Sequence, residues 1–143
     1  MTIIHPTDFS EEAATAERQA AELARRLGAE LLLLHVSVET PLYGEGALGM
    51  ANVKDVYEAQ ARWAEQQLAD RATLLTKNGV ATRWRRRVGI VHDAICDVAR
   101  EEAADYIVMG THGRGGIARF MVGSVADRVV RTAPCPVLTV RPQ

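Results

Sequence analysis

Strand and helix signals alternate from one end of this chain to the other, and that alternation restricts the possible folds more than any single motif. Thr2 to His5 reads as a short strand closed by Pro6. Ser10 then stands where a helix cap belongs, with Glu11 and Glu12 in a first turn that favours carboxylates. Ala13, Ala16, Ala20, Leu23, Ala24 and Leu27 recur at helical spacing, Arg25 and Arg26 suit the last turn, and Gly28 stops it. Glu30 to Val38 is a second strand, apolar enough to be buried on both faces. Pro41 to Met50, with three glycines, reads as a loop, and a long helix follows from about Ala51 to Lys77. Its stripe runs through Val53, Tyr57, Ala61, Ala64, Leu68, Ala72 and Leu75. Beyond Asn78-Gly79 come a strand (Val80 to Val88), a helix (Val91 to Ala103), a strand (Tyr106 to Met109), a helix (Ser124 to Thr132) and a last strand (Pro136 to Arg141). Such alternation predicts an α/β fold, a parallel sheet with helices on both faces. No linker or repeat divides residues 1–143, so one domain is expected.

Composition narrows the function classes. A formal net charge of −1 gives no general attraction to nucleic acid or to anionic membranes. The longest uniformly apolar run, Leu31 to Leu34, is far too short to span a bilayer. No basic, apolar leader precedes the first strand, and Cys96 and Cys135 match no metal or redox spacing, so reduced thiols and a cytoplasmic setting are expected.

The chemistry concentrates in Gly110-Thr111-His112-Gly113-Arg114-Gly115-Gly116, followed by Gly123-Ser124. Glycines 110, 113 and 123 with Ser124 read as G-x2-G-x9-G-S, directly after the fourth strand. Glycines let backbone amides approach a ligand closely, and the helix starting near Ser124 presents free N–H groups to an anion. Strand, glycine loop and helix start together form a phosphate cradle. A Walker A loop is excluded, because no lysine follows Gly115 or Gly116. Gly113-x-Gly115-x-x-Ala118 fits a dinucleotide fingerprint only loosely, since it follows the wrong strand and lacks a later acidic partner.

With these residues the chain resembles the universal stress protein family, in its ATP-binding branch. The family's G-x2-G-x9-G-[ST] signature is met by Gly110, Gly113, Gly123 and Ser124, and its amino-terminal P-x-D-x-S element by Pro6-Thr7-Asp8-Phe9-Ser10. Leu33-Leu34-His35-Val36 resembles its second strand, and Ala133-Pro134-Cys135-Pro136-Val137 the approach to its last. The resemblance implies a single open five-stranded sheet in the order 3-2-1-4-5, Rossmann-like and akin to the adenine nucleotide alpha hydrolases. It implies a site at the carboxyl ends of strands one and four. Val36 is expected at the adenine edge, with Pro6 and Thr7 lining the same pocket. Asp8 is expected near the ribose or a phosphate-bound cation, and Met109 and Gly110 beside the ribose. The amides of His112, Gly113, Gly123, Ser124 and Val125, with the Ser124 hydroxyl, are expected to hold the phosphates. ATP, carried with Mg²⁺ or Mn²⁺ through those phosphates, is the implied cofactor. Ala126 stands where some relatives carry a hydroxyl, one donor fewer.

Structural roles compete for several of these residues. Asp8 also suits a helix cap, and Ser124-Val125-Ala126-Asp127 is a capping-box pattern in which Ser124 serves the helix. His112 equally suits a solvated loop. Arg83-Trp84-Arg85-Arg86-Arg87 invites a nucleic-acid reading, but strand alternation sends Arg83, Arg85 and Arg87 to one side and Trp84 and Arg86 to the other. Charges on an edge strand guard against sheet-to-sheet association, and that reading is preferred. Trp63 is expected in the core. The function expected is a nucleotide-responsive module of stress physiology, partnered by an adenine nucleotide and not by nucleic acid or membrane. A slow ATPase and a nucleotide-independent interaction scaffold are the rivals. Phosphoryl transfer needs positioned charge and an oriented nucleophile, for which only Asp8, His112 and Arg114 are at hand. The apolar terminal strand Val137–Val140 is expected to pair with its copy in a homodimer.

Overall fold

The computed structural model describes residues 1–38, 47–112 and 122–142. Its elements run β1 (Thr2–Pro6), α1 (Glu11–Leu27), β2 (Glu30–Ser37), α2 (Ala47–Lys77), β3 (Thr82–Val88), α3 (Val91–Glu101), β4 (Tyr106–Gly110), α4 (Ser124–Thr132) and β5 (Val137–Val140). The strands form one sheet in the order β3-β2-β1-β4-β5, with parallel pairing throughout. This is the α/β architecture expected from the alternation, with the expected strand order.

Leu31 to Leu34 explain why the sheet is covered twice. All four are fully buried, and successive side chains of a strand point to opposite faces. Leu31 and Leu33 join Ile3 and Val108 against Ala20, Ala21 and Ala24 of α1 and Leu68 and Ala72 of α2. Leu32 and Leu34 join Ile4 and Ile107 against Ile95 and Val98 of α3 and Ala126 and Val129 of α4. Each leucine removed from water this way contributes roughly 2 kcal/mol before chain entropy is counted. Alanines along α1 let that helix lie close to the sheet.

Helix α1 begins and ends where its residues dictate. The Ser10 hydroxyl accepts from the Ala13 amide at 3.1 Å, and Gly28 closes the helix in the left-handed region, at φ 63°. Other ends differ from expectation. Ala47 to Met50 belong to α2 rather than to a loop, because alanine, leucine and methionine favour helix around Gly49; residues 41–46 lie outside the described residues. Helix α3 stops at Glu101, and Ala103 takes the left-handed position (φ 46°) that glycine usually fills. Val80 is buried, but its amide bonds to Leu75 O in the turn after α2, so β3 starts later, at Thr82. Leu27, counted in the apolar stripe, is 43% exposed in the last turn of α1. Trp63 is not core either: it is 49% exposed and sets its edge against Phe9.

Candidate functional site

Strand order reverses between β1 and β4, where the chain leaves β1 toward β2 on one side and β4 toward β5 on the other. Open parallel sheets bind ligands in the crevice that this reversal leaves at the carboxyl ends. Two segments flank it among the described residues, the turn from Thr7 to Ser10 after β1 and, after β4, the two ends of the glycine loop at Thr111-His112 and Val122-Gly123.

The first turn is held by its own polar groups. The Thr7 amide donates to Leu34 O at 2.8 Å, which ties the end of β1 to β2. The Phe9 amide donates to Thr7 Oγ1 at 3.1 Å, and the Ser10 amide to Asp8 Oδ1 at 3.0 Å. Asp8 therefore braces the turn, while the helix cap itself is Ser10. Pro6, Val36 and Met109 occupy the face of the sheet that α3 and α4 cover: Pro6 follows the alternation of Ile4, and Val36 and Met109 pack with the cluster on that side. Thr7 is buried beside them, 6% exposed.

The second turn is closed at its base. The Gly123 amide donates to Thr111 O at 2.6 Å, and the Thr111 amide to Val140 O of β5 at 3.1 Å. A Cβ on Gly123 would lie 2.9 Å from Thr111 O, so the two ends of the loop meet only because Gly123 has none. Gly123 is also the residue capping α4, with no side-chain cap. The capping-box reading of Ser124 is thereby corrected: Ser124 is the first helical residue, exposed at the helix start. The amides of Ser124, Val125 and Ala126 are the first-turn donors that a helix cannot satisfy internally. His112 places Nδ1 2.9 Å from Thr111 Oγ1, while its Nε2 is enclosed and has no hydrogen-bond partner among the described residues. His112 is a half-buried loop residue, its Nδ1 turned to Thr111 rather than to solvent. The structure brings Pro6, Thr7, Asp8, Val36, Met109, Gly110, His112, Gly123, Ser124 and Val125 to the carboxyl side of the sheet. Gly113 lies outside the described residues.

Residues 1–141 match the model of the universal stress protein family. The chain belongs to that family. Universal stress protein Sll1654 of Synechocystis is 37% identical over 139 residues, covering 97% of this chain and 84% of its own. Universal stress protein UspA from Lactobacillus plantarum superposes with a TM-score of 0.87 at 29% identity, over 99% of this chain and 97% of its own. The universal stress protein from Archaeoglobus fulgidus in complex with dAMP superposes with a TM-score of 0.67 at 27% identity, over 99% and 98%.

Beneath the first turn this universal stress protein carries a group of residues that motif reading missed. His5 is fully buried in β1 and donates through Nδ1 to Val108 O of β4 at 2.9 Å, leaving Nε2 with no partner among the described residues. Burial pushes its pKa below the usual imidazole value, more strongly than the bond to Val108 raises it. His35 of β2 donates through Nδ1 to Thr7 O at 2.8 Å and stacks on Phe9. The available signal was a histidine ending each of two apolar runs, Ile3-Ile4-His5 and Leu33-Leu34-His35.

The arginine run forms an ordered edge. Arg83 pairs with Glu30 and Glu102, Arg85 with Glu101 and Glu102, and Arg87 with Glu101, all on the α3 side. Arg86 points the other way, to Glu65 of α2. Four guanidinium groups are thus committed to carboxylates of the same chain. Among the described residues, no three His, Cys, Asp or Glu side chains gather to hold a metal, and no helix is long and apolar enough to cross a membrane.

Proposed function

We propose that this universal stress protein binds ATP, with Mg²⁺ or Mn²⁺ carried through the phosphates, in the crevice between the Thr7–Ser10 turn and the glycine loop. Occupancy of that crevice is the signal it contributes to stress physiology. The observation that carries the reading is the closure of the loop at Gly123. A backbone junction that a single Cβ would fill sets the first amides of α4 beside the end of β4. Those amides carry the positive end of the helix and suit a phosphate. The enclosed Nε2 of His112, unpartnered among the described residues, is a further polar atom that a ligand oxygen would satisfy. The dAMP complex of the Archaeoglobus relative supports an adenine nucleotide as the ligand class.

In this reading Val36 offers backbone groups to the adenine edge, with Pro6 and Thr7 beside it. Met109 and Gly110 flank the ribose, and Asp8 meets the ribose or the cation. His112, Gly113, Gly123, Ser124 and Val125 hold the phosphates through amides, Ser124 adding its hydroxyl. Bound nucleotide supplies charge and shape; the chain supplies the aligned donors. A second copy of the chain, paired through β5 at Val137–Val140, is the proposed partner.

Calorimetric titration of nucleotide-free protein with ATP and Mg²⁺, then with AMP, tests the reading. Saturable binding with about one site per chain is expected. Ser124→Ala should weaken ATP about tenfold or more, the scale of one hydrogen bond to a charged group. A folded protein that binds neither nucleotide overturns the proposal and leaves a nucleotide-independent scaffold.

A further inference from the structure

We infer that Phe9 is a positioning residue, an aromatic anchor that holds the Asp8-bearing turn in the shape the site requires. The inference rests on the nucleotide reading above, but its observations lie on the opposite face of the sheet. Phe9 has a φ of 64°, in the left-handed region that a bulky side chain rarely adopts. A residue kept there needs surroundings that over-determine it, and such residues cluster at functional sites.

The surroundings are present on three sides. Phe9 stacks on His35, ring centres 4.7 Å apart and planes inclined at 29°, and His35 is itself bonded to Thr7 O. Trp63 of α2 meets Phe9 edge-on at 5.2 Å. The Arg71 guanidinium lies 5.8 Å from the ring centre and is held by Glu17 of α1 at 3.0 Å. The ring is therefore gripped by β2, by α2 and, through Arg71, by α1, while its backbone neighbours are Asp8 and Ser10. A turn made only to join β1 to α1 has no need of a strained aromatic. Glycine would take the same backbone shape without cost. The ring gives the turn one fixed position relative to the sheet, and Asp8 inherits that position.

Phe9→Gly removes the ring while relieving the strain, so a loss in this variant cannot come from backbone strain. Two readouts are taken: ATP affinity in Mg²⁺ by calorimetry, and hydrogen exchange at the Ser10 and Ala13 amides. The expected result is a loss of affinity of about tenfold and exchange at least tenfold faster at both amides, with Val98 in α3 unchanged. Phe9→Tyr, which keeps the ring, should retain wild-type values. Trp63→Leu, at a half-exposed position, should shift both readouts in the same direction by less, and serves if Phe9→Gly fails to fold. Wild-type affinity in Phe9→Gly overturns the positioning role, and wild-type exchange overturns the anchor. If the wild-type protein binds no ATP, the nucleotide reading fails and the exchange rates alone decide whether Phe9 anchors the turn.

Discussion

Gly123 and Gly110 both belong to the glycine signature, yet their surroundings make different demands. At Gly123 φ is −61°, which any residue adopts, so what the position requires is space: a Cβ would stand 2.9 Å from Thr111 O. Thr111 O is a backbone atom and a Cβ is fixed rigidly to its own backbone, so one end of the loop must move. Gly123→Ala is expected to destabilise by about 1–3 kcal/mol, the usual cost of overpacking, in urea denaturation. At Gly110 the nearest atom would be His112 O at 3.4 Å, and Gly110→Ala should cost under about 1 kcal/mol. Equal losses would remove the special status of the Gly123 junction. His5 makes a different kind of demand. Its pKa is lowered in the folded protein by burial, so the unfolded chain takes up a proton near pH 6.5 while the native state resists it. Stability is therefore full above about pH 6.5 and falls as the pH drops below it, with a slope of at most about 1.4 kcal/mol per pH unit. Denaturation midpoints at pH 7.5 and 5.5 should show this fall in the wild type and a flatter profile in His5→Gln. A wild-type profile no steeper than that of His5→Gln would exclude His5 as its source.

Among the elements, β3 carries the largest net charge, from Arg83, Arg85, Arg86 and Arg87, and its stability should depend on pH through the carboxylates it pairs with. Hydrogen bonding to Arg83 lowers the Glu102 pKa, and bonding to Arg87 lowers that of Glu101. A depressed folded pKa means the contribution is present above the ordinary carboxylate range, about pH 4.3, and is lost as pH falls through the folded value. Glu102→Gln should cost up to about 1 kcal/mol at pH 7, the scale of partly solvated ion pairs, and match the wild type by pH 3. A difference that persisted at pH 3 would point to packing instead. The side of the strand each arginine takes was legible in the sequence because it follows from a period of two. The start of α1 and its stop were legible too, because Ser10 and Gly28 act on their immediate neighbours. The end of α3 was not, since Ala103 carries no turn signal of its own. For the site, the glycine spacing announced the loop, but the Thr111–Gly123 closure and the grip of His35, Trp63 and Arg71 on Phe9 join residues far apart in the chain. Local patterns hold no record of such contacts.

At the scale of the whole molecule the two edges of the sheet are treated oppositely. The β3 edge is lined with paired charges, whereas β5 reads Val-Leu-Thr-Val and has none. Val137 and Val140 pack inward, one against each cluster, and Leu138 is the exposed apolar residue, at 46%. An unguarded edge strand is a template for another chain, and two copies of β5 paired about a twofold axis would each cover the other. Carbonyls of Pro136 and Val140 accept from Ile107 and Thr111, so the even-numbered residues of this strand bond inward and Thr139 turns its amide outward. Thr139→Pro therefore removes a donor from the free edge without breaking the ladder to β4. Wild-type protein is expected to sediment as a dimer at micromolar concentration, and Thr139→Pro as a folded monomer with unchanged circular dichroism. A wild-type monomer would exclude the paired edge. A Thr139→Pro dimer would move the interface away from strand pairing and onto helix faces. Guarding one edge while leaving the other bare limits association through strands to a closed pair, because a dimer joined at β5 offers only its charged β3 edges to further copies.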